Sequence, residues 1–208
     1  GYKVYVSDRD IYELLNKDYS ATGIRAFDYH FVSKVYEKPF ELVYTSIEDF
    51  PKELTQNVKC GGHTNGCRIG FDAGGSDRKV SAMKDGEVVY SEEVIWFPKI
   101  TKDYKYHYEE ILKAFKTAAS YLPRVDAIGV SSAGIYINNR TMVASLFMSI
   151  NGEDFEKHIK DIYINVAKEI GDVPLVVAND GDVTALAGAM ELNDNCVLGI
   201  AMGTSEAA

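Results

Sequence analysis

Cysteine is scarce in this sequence: only three occur among 208 residues, Cys60, Cys67 and Cys196. An odd number with no regular spacing excludes a disulfide framework and points to a reducing, cytoplasmic setting. Long apolar runs are missing as well, which excludes a membrane-spanning helix, although 46% of the residues are hydrophobic, as is ordinary for a globular protein. Basic charge is in deficit. The formal net charge of −9 argues against a general nucleic-acid binder, which needs a basic face to neutralise phosphates. A nucleotide ligand is still allowed, because local N–H groups and a metal ion can hold phosphates within an acidic protein. The opening "GYKVYVSDRD" lacks the features of a signal peptide. Internal repeats and low-complexity tracts are also absent. There is no initiator methionine, and the last residues stop where a loop should turn, so the sequence is expected to be a piece of a longer protein.

Residues 1–59 are rich in Tyr and Phe and contain only Gly1 and Gly23 of the 17 glycines. They mix β-like runs ("KVYV", "FELVYT") with short helical pieces ("DIYELLNKD", "SIEDFPKEL") and are expected to form a small α+β segment. Residues 60–67, "CGGHTNGC", form a Gly/Asn-rich break that reads as a linker loop. From residue 68 to 208 the pattern changes. "RIGFDAGG" is a short strand ending in Asp-x-Gly-Gly, followed by two strands around an Asp85-Gly86 hairpin turn. "DYKYHYEEILKAFKTAASYL" has helical spacing and stops before Pro123. Then come a strand ("VDAIGVSSAG"), an amphipathic helix ("GEDFEKHIKDIYINVAKEIG") with Gly171 past its end, a strand ("PLVVAND"), a helix ("GDVTALAGAMEL") and a final strand ("NCVLGIAMGTS"). A meander followed by βα alternation makes a mixed sheet with helices on its faces. Strands beginning near Ile69, Ala127, Leu175 and Val197 should share it, with Asp72, Gly134 and Asp180 at one edge.

At that edge small-residue loops meet: "DAGGS", "SSAG", "ANDGD" and the final "MGTS". Each has a plain structural role, since glycines make turns and Asp, Asn or Ser cap helices. Each also has a chemical one. Gly74, Gly75 and Ser76 let a backbone approach a phosphate closely, and Gly203, Thr204 and Ser205 offer a second cradle. Asp72 stands where it could hold Mg²⁺ through water. Asp180 could accept the proton of a hydroxyl attacking a γ-phosphoryl group, with Asn179 orienting that hydroxyl. Asp180 or Asp182 could equally do no more than cap the helix.

"IGFDAGGSDRKVSAM", "AIGVSSAGIYIN", "VPLVVANDGDVTALAGA" and "VLGIAMGTS" together resemble the N-terminal lobe of the ROK family of bacterial sugar kinases and regulators, within the actin/hexokinase/Hsp70 superfamily of ATPases. The resemblance covers about residues 68–208, in order and spacing. It implies a ribonuclease-H-like α/β fold, use of ATP and Mg²⁺, and a sugar hydroxyl as acceptor. It implies Asp180 as the catalytic base and Asn179, Ser132 and Gly134 as substrate contacts, leaving Asp182 to cap the helix. It also implies a partner lobe beyond Ala208 that carries the family's sugar-gripping Glu and His residues, its adenosine pocket and its zinc motif. This piece alone is therefore expected to be inactive. Partners expected are a small-molecule sugar, the absent lobe and, as an allowed state, further copies of the chain, with neither membrane nor nucleic acid.

Three positions depart from the family. Ala133 stands where proline is common, and Asp77 and Glu206 put acids beside the two phosphate loops. A carboxylate about 5 Å from a phosphate repels it by roughly 3 kcal/mol at an effective dielectric of 20. Asp77 and Glu206 favour the alternative of a non-catalytic, sugar-sensing ROK-like module, whereas the intact Asp72, Asn179 and Asp180 favour the kinase. Cys60, His63 and Cys67 are one ligand short of a closed zinc site, and His107, His158 and His30 read as packed or surface residues. Residues 1–59 show no helix-turn-helix pattern, so the DNA-binding role of some family members does not carry over.

Overall fold

A computed structural model describes residues 1–53, 61–194, 196–202 and 206–207, and the chain divides into two compact units, Gly1–Val58 and Lys59–Ala208. In the first, strand β1 (Lys3–Val6) leads into helices α1 (Arg9–Asp18) and α2 (Ala26–Tyr36), and β2 (Glu41–Tyr44) returns parallel to β1. Asp8 caps α1 by accepting from the Ile11 amide at 2.9 Å. Aromatic pairs tie the elements together, among them Tyr2 with Tyr36, Tyr12 with Tyr44 and Tyr19 with Phe40. Helix α2 escapes the sequence reading because its Tyr, Phe, His and Val residues are weak helix formers. The expected helix in "SIEDFPKEL" contracts to a 3₁₀ turn, Ile47–Asp49. Pro51 forces Phe50 into an extended conformation (φ −61°, ψ 140°) and ends it.

The second unit is built on β3 (Cys67–Ala73), β4 (Asp77–Lys84), β5 (Glu87–Ile95), β6 (Ala127–Ser132) and β9 (Leu175–Ala178). Their order in the sheet is β5-β4-β3-β6-β9. β3 is antiparallel to β4 and β4 to β5, whereas β6 and β9 run parallel to β3. This is the mixed sheet that the meander and βα alternation lead one to expect, in the ribonuclease-H-like arrangement that the family resemblance implies. The β4–β5 turn is Asp85-Gly86, both at positive φ (51° and 89°), as the hairpin signal requires.

Burial follows a period of two along β3: Cys67, Ile69, Phe71 and Ala73 are buried on one face, while Arg68, Gly70 and Asp72 turn to the other. The buried face packs on α3 (Tyr104–Ser120), through Ile111, Ala114, Phe115 and Ala118, and on α5 (Ile162–Ile170), through Ile162, Tyr163 and Val166. α3 starts at the Asp103 cap, and its His107 is buried against the carbonyls of Asp103 and Pro98, packed as the sequence indicates. The long helix expected over 152–170 is broken into one turn α4 (Gly152–Asp154), a π-helical segment (Phe155–Ile159) and α5. Helix α6 (Asp180–Leu192) contacts β6 and lies on the opposite face from α3.

Two further features differ from expectation. A small hairpin of β7 (Ile135–Ile137) and β8 (Arg140–Val143), turned by Asn138 and Asn139 at positive φ (53° and 65°), follows β6. The segment from Val197 does not join the sheet. The Asn139 side chain occupies the edge of β9, its amide donating to the Leu175 carbonyl and its oxygen accepting from the Val177 N–H, both at 2.9 Å. Residues 197–199 lie along α6 instead. Val197 stands over Gly188, and Gly199 approaches the Ala185 backbone so closely that any side chain there would overlap it. Among the described residues, β10 (Ala201–Met202) then pairs with β11 (Glu206–Ala207) alone. No helix of the described residues is long and apolar enough to cross a membrane.

Candidate active site

The parallel strands end level. Asp72 lies opposite Ser131, and Ser131 opposite Ala178, so the loops after β3, β6 and β9 open at one edge of the sheet. Strand-end loops at such an edge are where open α/β sheets bind ligands. A cavity of about 360 Å³ lies there. The tip of the β3–β4 hairpin lines it, from Asp72 through Gly74, Gly75 and Ser76 to Asp77 and Lys79. Ser131 and Ala133 enter from the β6 loop, Asp180 and Thr184 from the start of α6, and Ala201 and Met202 from β10. Gly203, Thr204 and Ser205, the expected second cradle, lie outside the described residues.

The hairpin tip is fixed from behind. The Trp96 indole, itself buried, donates to the Gly74 carbonyl at 2.8 Å, and the Trp96 amide donates to the Ser76 carbonyl at 3.1 Å. A Cβ on Gly74 would lie 2.6 Å from the Asp77 carbonyl oxygen, so the tight turn requires glycine. Sequence reasoning missed Trp96. Its position just beyond β5, level with the hairpin tip, becomes visible only with the strand register.

Asp72 projects to the cavity side, away from the core, and makes no hydrogen bond or ion pair with another described residue. Asp77 and Lys79 share that side of the sheet, since Arg78 between them is fully buried, its guanidinium held by Glu92 and Glu110. Lys79 pairs with Asp77 at 3.0 Å. This hydrogen bond, more than any other influence, keeps the Asp77 carboxyl below its ordinary range and raises Lys79. Three carboxylates and one ammonium thus face the cavity.

Asn179 is the N-cap of α6, its side-chain oxygen accepting from the Gly181 amide at 2.8 Å and its amide donating to the Gly134 carbonyl at 2.9 Å. It thereby clamps the β6 loop to the start of the helix. Asp180 is the first helical residue, and its Oδ1 accepts from the Gly181 amide at 3.1 Å. Asp182 is exposed in the first turn, so the cap assigned to it from sequence belongs to Asn179. Gly134 meets the site through its carbonyl. Ser132 is fully buried and faces away from the cavity, while its neighbours Ser131 and Ala133 line it. The Ser132 hydroxyl accepts from Tyr136 at 2.7 Å and from Tyr163 at 3.1 Å. Burial raises both tyrosines above the ordinary phenol range, so they remain donors and brace the floor of the site. Sequence reasoning missed this pair too, because the two residues lie in the unexpected hairpin and in the helix behind the sheet.

Among the described residues no group of three or more His, Cys, Asp or Glu side chains could hold a metal ion unaided. Asp72 suits a different mode: Mg²⁺ keeps several waters and binds through one or two carboxylates plus ligand phosphates.

The sequence matches no protein-family model and no curated protein at a significant level. Solved structures similar to the chain include a ROK hexokinase from Thermus thermophilus, at 17% identity and a TM-score of 0.43 over 59% of this chain and 37% of that one. An inorganic polyphosphate/ATP-glucomannokinase from Arthrobacter sp. strain KM is similar at 21% identity and a TM-score of 0.45, over 60% of this chain and 48% of that one. A ROK family transcriptional regulator, a homolog of the E. coli MLC protein, is similar at 20% identity and a TM-score of 0.39, over 60% of this chain and 30% of that one. The chain spans less than half the length of each.

Proposed function

We propose that this chain is the phosphate-binding and base-bearing lobe of an ATP-dependent, ROK-type sugar kinase that transfers a γ-phosphoryl group to a sugar hydroxyl. The observation that carries this reading is the meeting, in one cavity, of a glycine hairpin tip with the carboxylates of Asp72 and Asp180. Phosphoryl transfer asks little of a protein beyond positioning and charge neutralisation.

In this reading Asp180 takes the proton of the sugar hydroxyl as its oxygen bonds to the γ-phosphorus. The bond from that phosphorus to the β–γ bridging oxygen breaks, and ADP leaves. Gly74, Gly75 and Ser76, with Gly203, Thr204 and Ser205, supply N–H and hydroxyl donors to the phosphates. Asn179 and the backbone of Gly134 hold the base and the sugar-side loop in register, and Ser132 acts through Ser131 and Ala133, which it positions. Mg²⁺, when bound, neutralises phosphate charge, and Asp72 is the residue that would hold it. The adenosine site and most sugar contacts are assigned to a complementary lobe, so the 208-residue chain alone is inactive.

One observation favours a second reading, a sugar-sensing module without turnover: Asp77 already occupies donors of the phosphate loop. Hexose-dependent ADP release from MgATP, measured on the chain joined to its complementary lobe across a panel of hexoses, separates the two. Turnover that falls about 10²–10⁴-fold in Asp180→Asn supports the kinase, this being the usual worth of a general base. Binding of MgATP without hexose-dependent release selects the sensing module, and absence of MgATP binding rejects both.

A further inference from the structure

We infer that Asp77 is an internal stand-in for a phosphate: its carboxylate holds the Lys79 ammonium and the Ser76 hydroxyl, and an entering phosphoryl group must take both donors from it. Asp77 thereby sets the affinity of the cradle, and Lys79 is its movable counter-charge. The inference rests on the phosphate-site reading above and deepens it.

The two oxygens of Asp77 divide the work. Oδ1 takes Lys79 at 3.0 Å, and Oδ2 accepts from the Ser76 hydroxyl at 3.1 Å. These are a cation and a neutral donor at the glycine tip, the pair of groups that an anion bound there would use. Both charged partners line the cavity. The backbone beneath them is pinned by Trp96 at Gly74 and Ser76, so exchange requires only side-chain rotation. The pair is partly exposed, at 49% for Lys79 and 26% for Asp77, and exposed ion pairs are weak. A phosphate brings more charge and more acceptor oxygens than a carboxylate, and so competes well for both donors. Lys79 has no shortage of other acids: it lies opposite Asp72 on β3 and opposite Glu93 on β5. Asp77 is distinguished from these by holding the Ser76 hydroxyl as well.

The test is titration calorimetry of MgATP into the chain joined to its complementary lobe, as wild type, Asp77→Asn, Asp77→Ser, Lys79→Met and Glu93→Gln, each checked by thermal melting. Removal of the competing carboxylate in Asp77→Asn should tighten binding about tenfold, and loss of the counter-charge in Lys79→Met should weaken it about tenfold. Asp77→Ser should tighten it in the same direction as Asp77→Asn and stands in should that variant fail to fold. Glu93→Gln, an equal charge change outside the cavity lining, should leave Kd within about twofold. Equal affinity of wild type and the Asp77 variants, weaker binding by them, or equal tightening by Glu93→Gln overturns the inference while leaving the phosphate site standing. No binding by any of the five proteins overturns the phosphate-site reading and the inference together.

Discussion

Asn179, Asp180 and Asp182 stand within four residues and have three different surroundings. Asn179 caps α6 and clamps Gly134, Asp180 faces the cavity, and Asp182 is exposed. The sequence made the seam between strand and helix legible as a place for a cap and a carboxylate. It could not apportion the roles, because an N-cap is defined by backbone conformation, and Asn and Asp serve almost equally well there. The Asn179 amide decides the matter, since only Asn can accept from Gly181 and donate to a carbonyl at once. Removing both bonds in Asn179→Ala should cost about 1–3 kcal/mol. Asp180→Asn and Asp182→Asn should each stay within about 0.5 kcal/mol of wild type, as replacements that leave the cap intact. Urea denaturation of the three variants checks this, and a destabilised Asp182→Asn beside an unaffected Asn179→Ala would return the cap to Asp182.

At the scale of elements, the β3–β4–β5 meander, α3 and the strands at β6 and β9 were legible because apolar periodicity and a Asp-Gly turn declare them. The β7–β8 hairpin was not, since its turn is Asn138-Asn139 and its strands are only three and four residues long. Nor was its consequence. The Asn139 amide acts as one extra peptide group along the edge of β9, satisfying Leu175 and Val177, which turns residues 197–199 toward the small residues of α6. The apolar run read as a final strand therefore forms none over residues 197–200, and only Ala201–Met202 is a strand. Asn139→Ala should therefore remove two hydrogen bonds, costing about 1–3 kcal/mol, and leave an edge free to pair with another chain. The positive φ of 65° at Asn139 adds to the penalty, because alanine tolerates it poorly. A lower melting temperature with concentration-dependent light scattering is the expected result. Asn139→Gly, which removes the φ strain but not the lost bonds, should scatter equally, and a monomeric, undiminished Asn139→Ala would dismiss the edge-protecting role.

At the scale of the whole molecule, the two units differ in what holds them. The unit Lys59–Ala208 has a contiguous core in which β3, β4, β6, β9, α3 and α5 all bury side chains. Among the described residues of the unit Gly1–Val58, Val35 alone is buried, and Ile24 and Phe27 are 81% and 76% exposed. The change in composition near residue 60 makes the division legible, but the Tyr and Phe content of residues 1–59 suggests a small core that the structure replaces with half-exposed aromatic pairs. Apolar burial is the main favourable term in folding, and a segment this short buries too little to offset its chain entropy unaided. Residues 61–208 expressed alone should therefore melt in one cooperative transition and keep the near-ultraviolet signal of Trp96, the single tryptophan, in its buried place behind the hairpin tip. Residues 1–53 expressed alone should show a broad, non-cooperative loss of ellipticity on heating. Circular dichroism of both pieces decides it. A sharp transition in residues 1–53 would mean that parallel β1–β2 pairing and aromatic contacts suffice without a core, and an unfolded 61–208 would mean that its sheet depends on the unit before it.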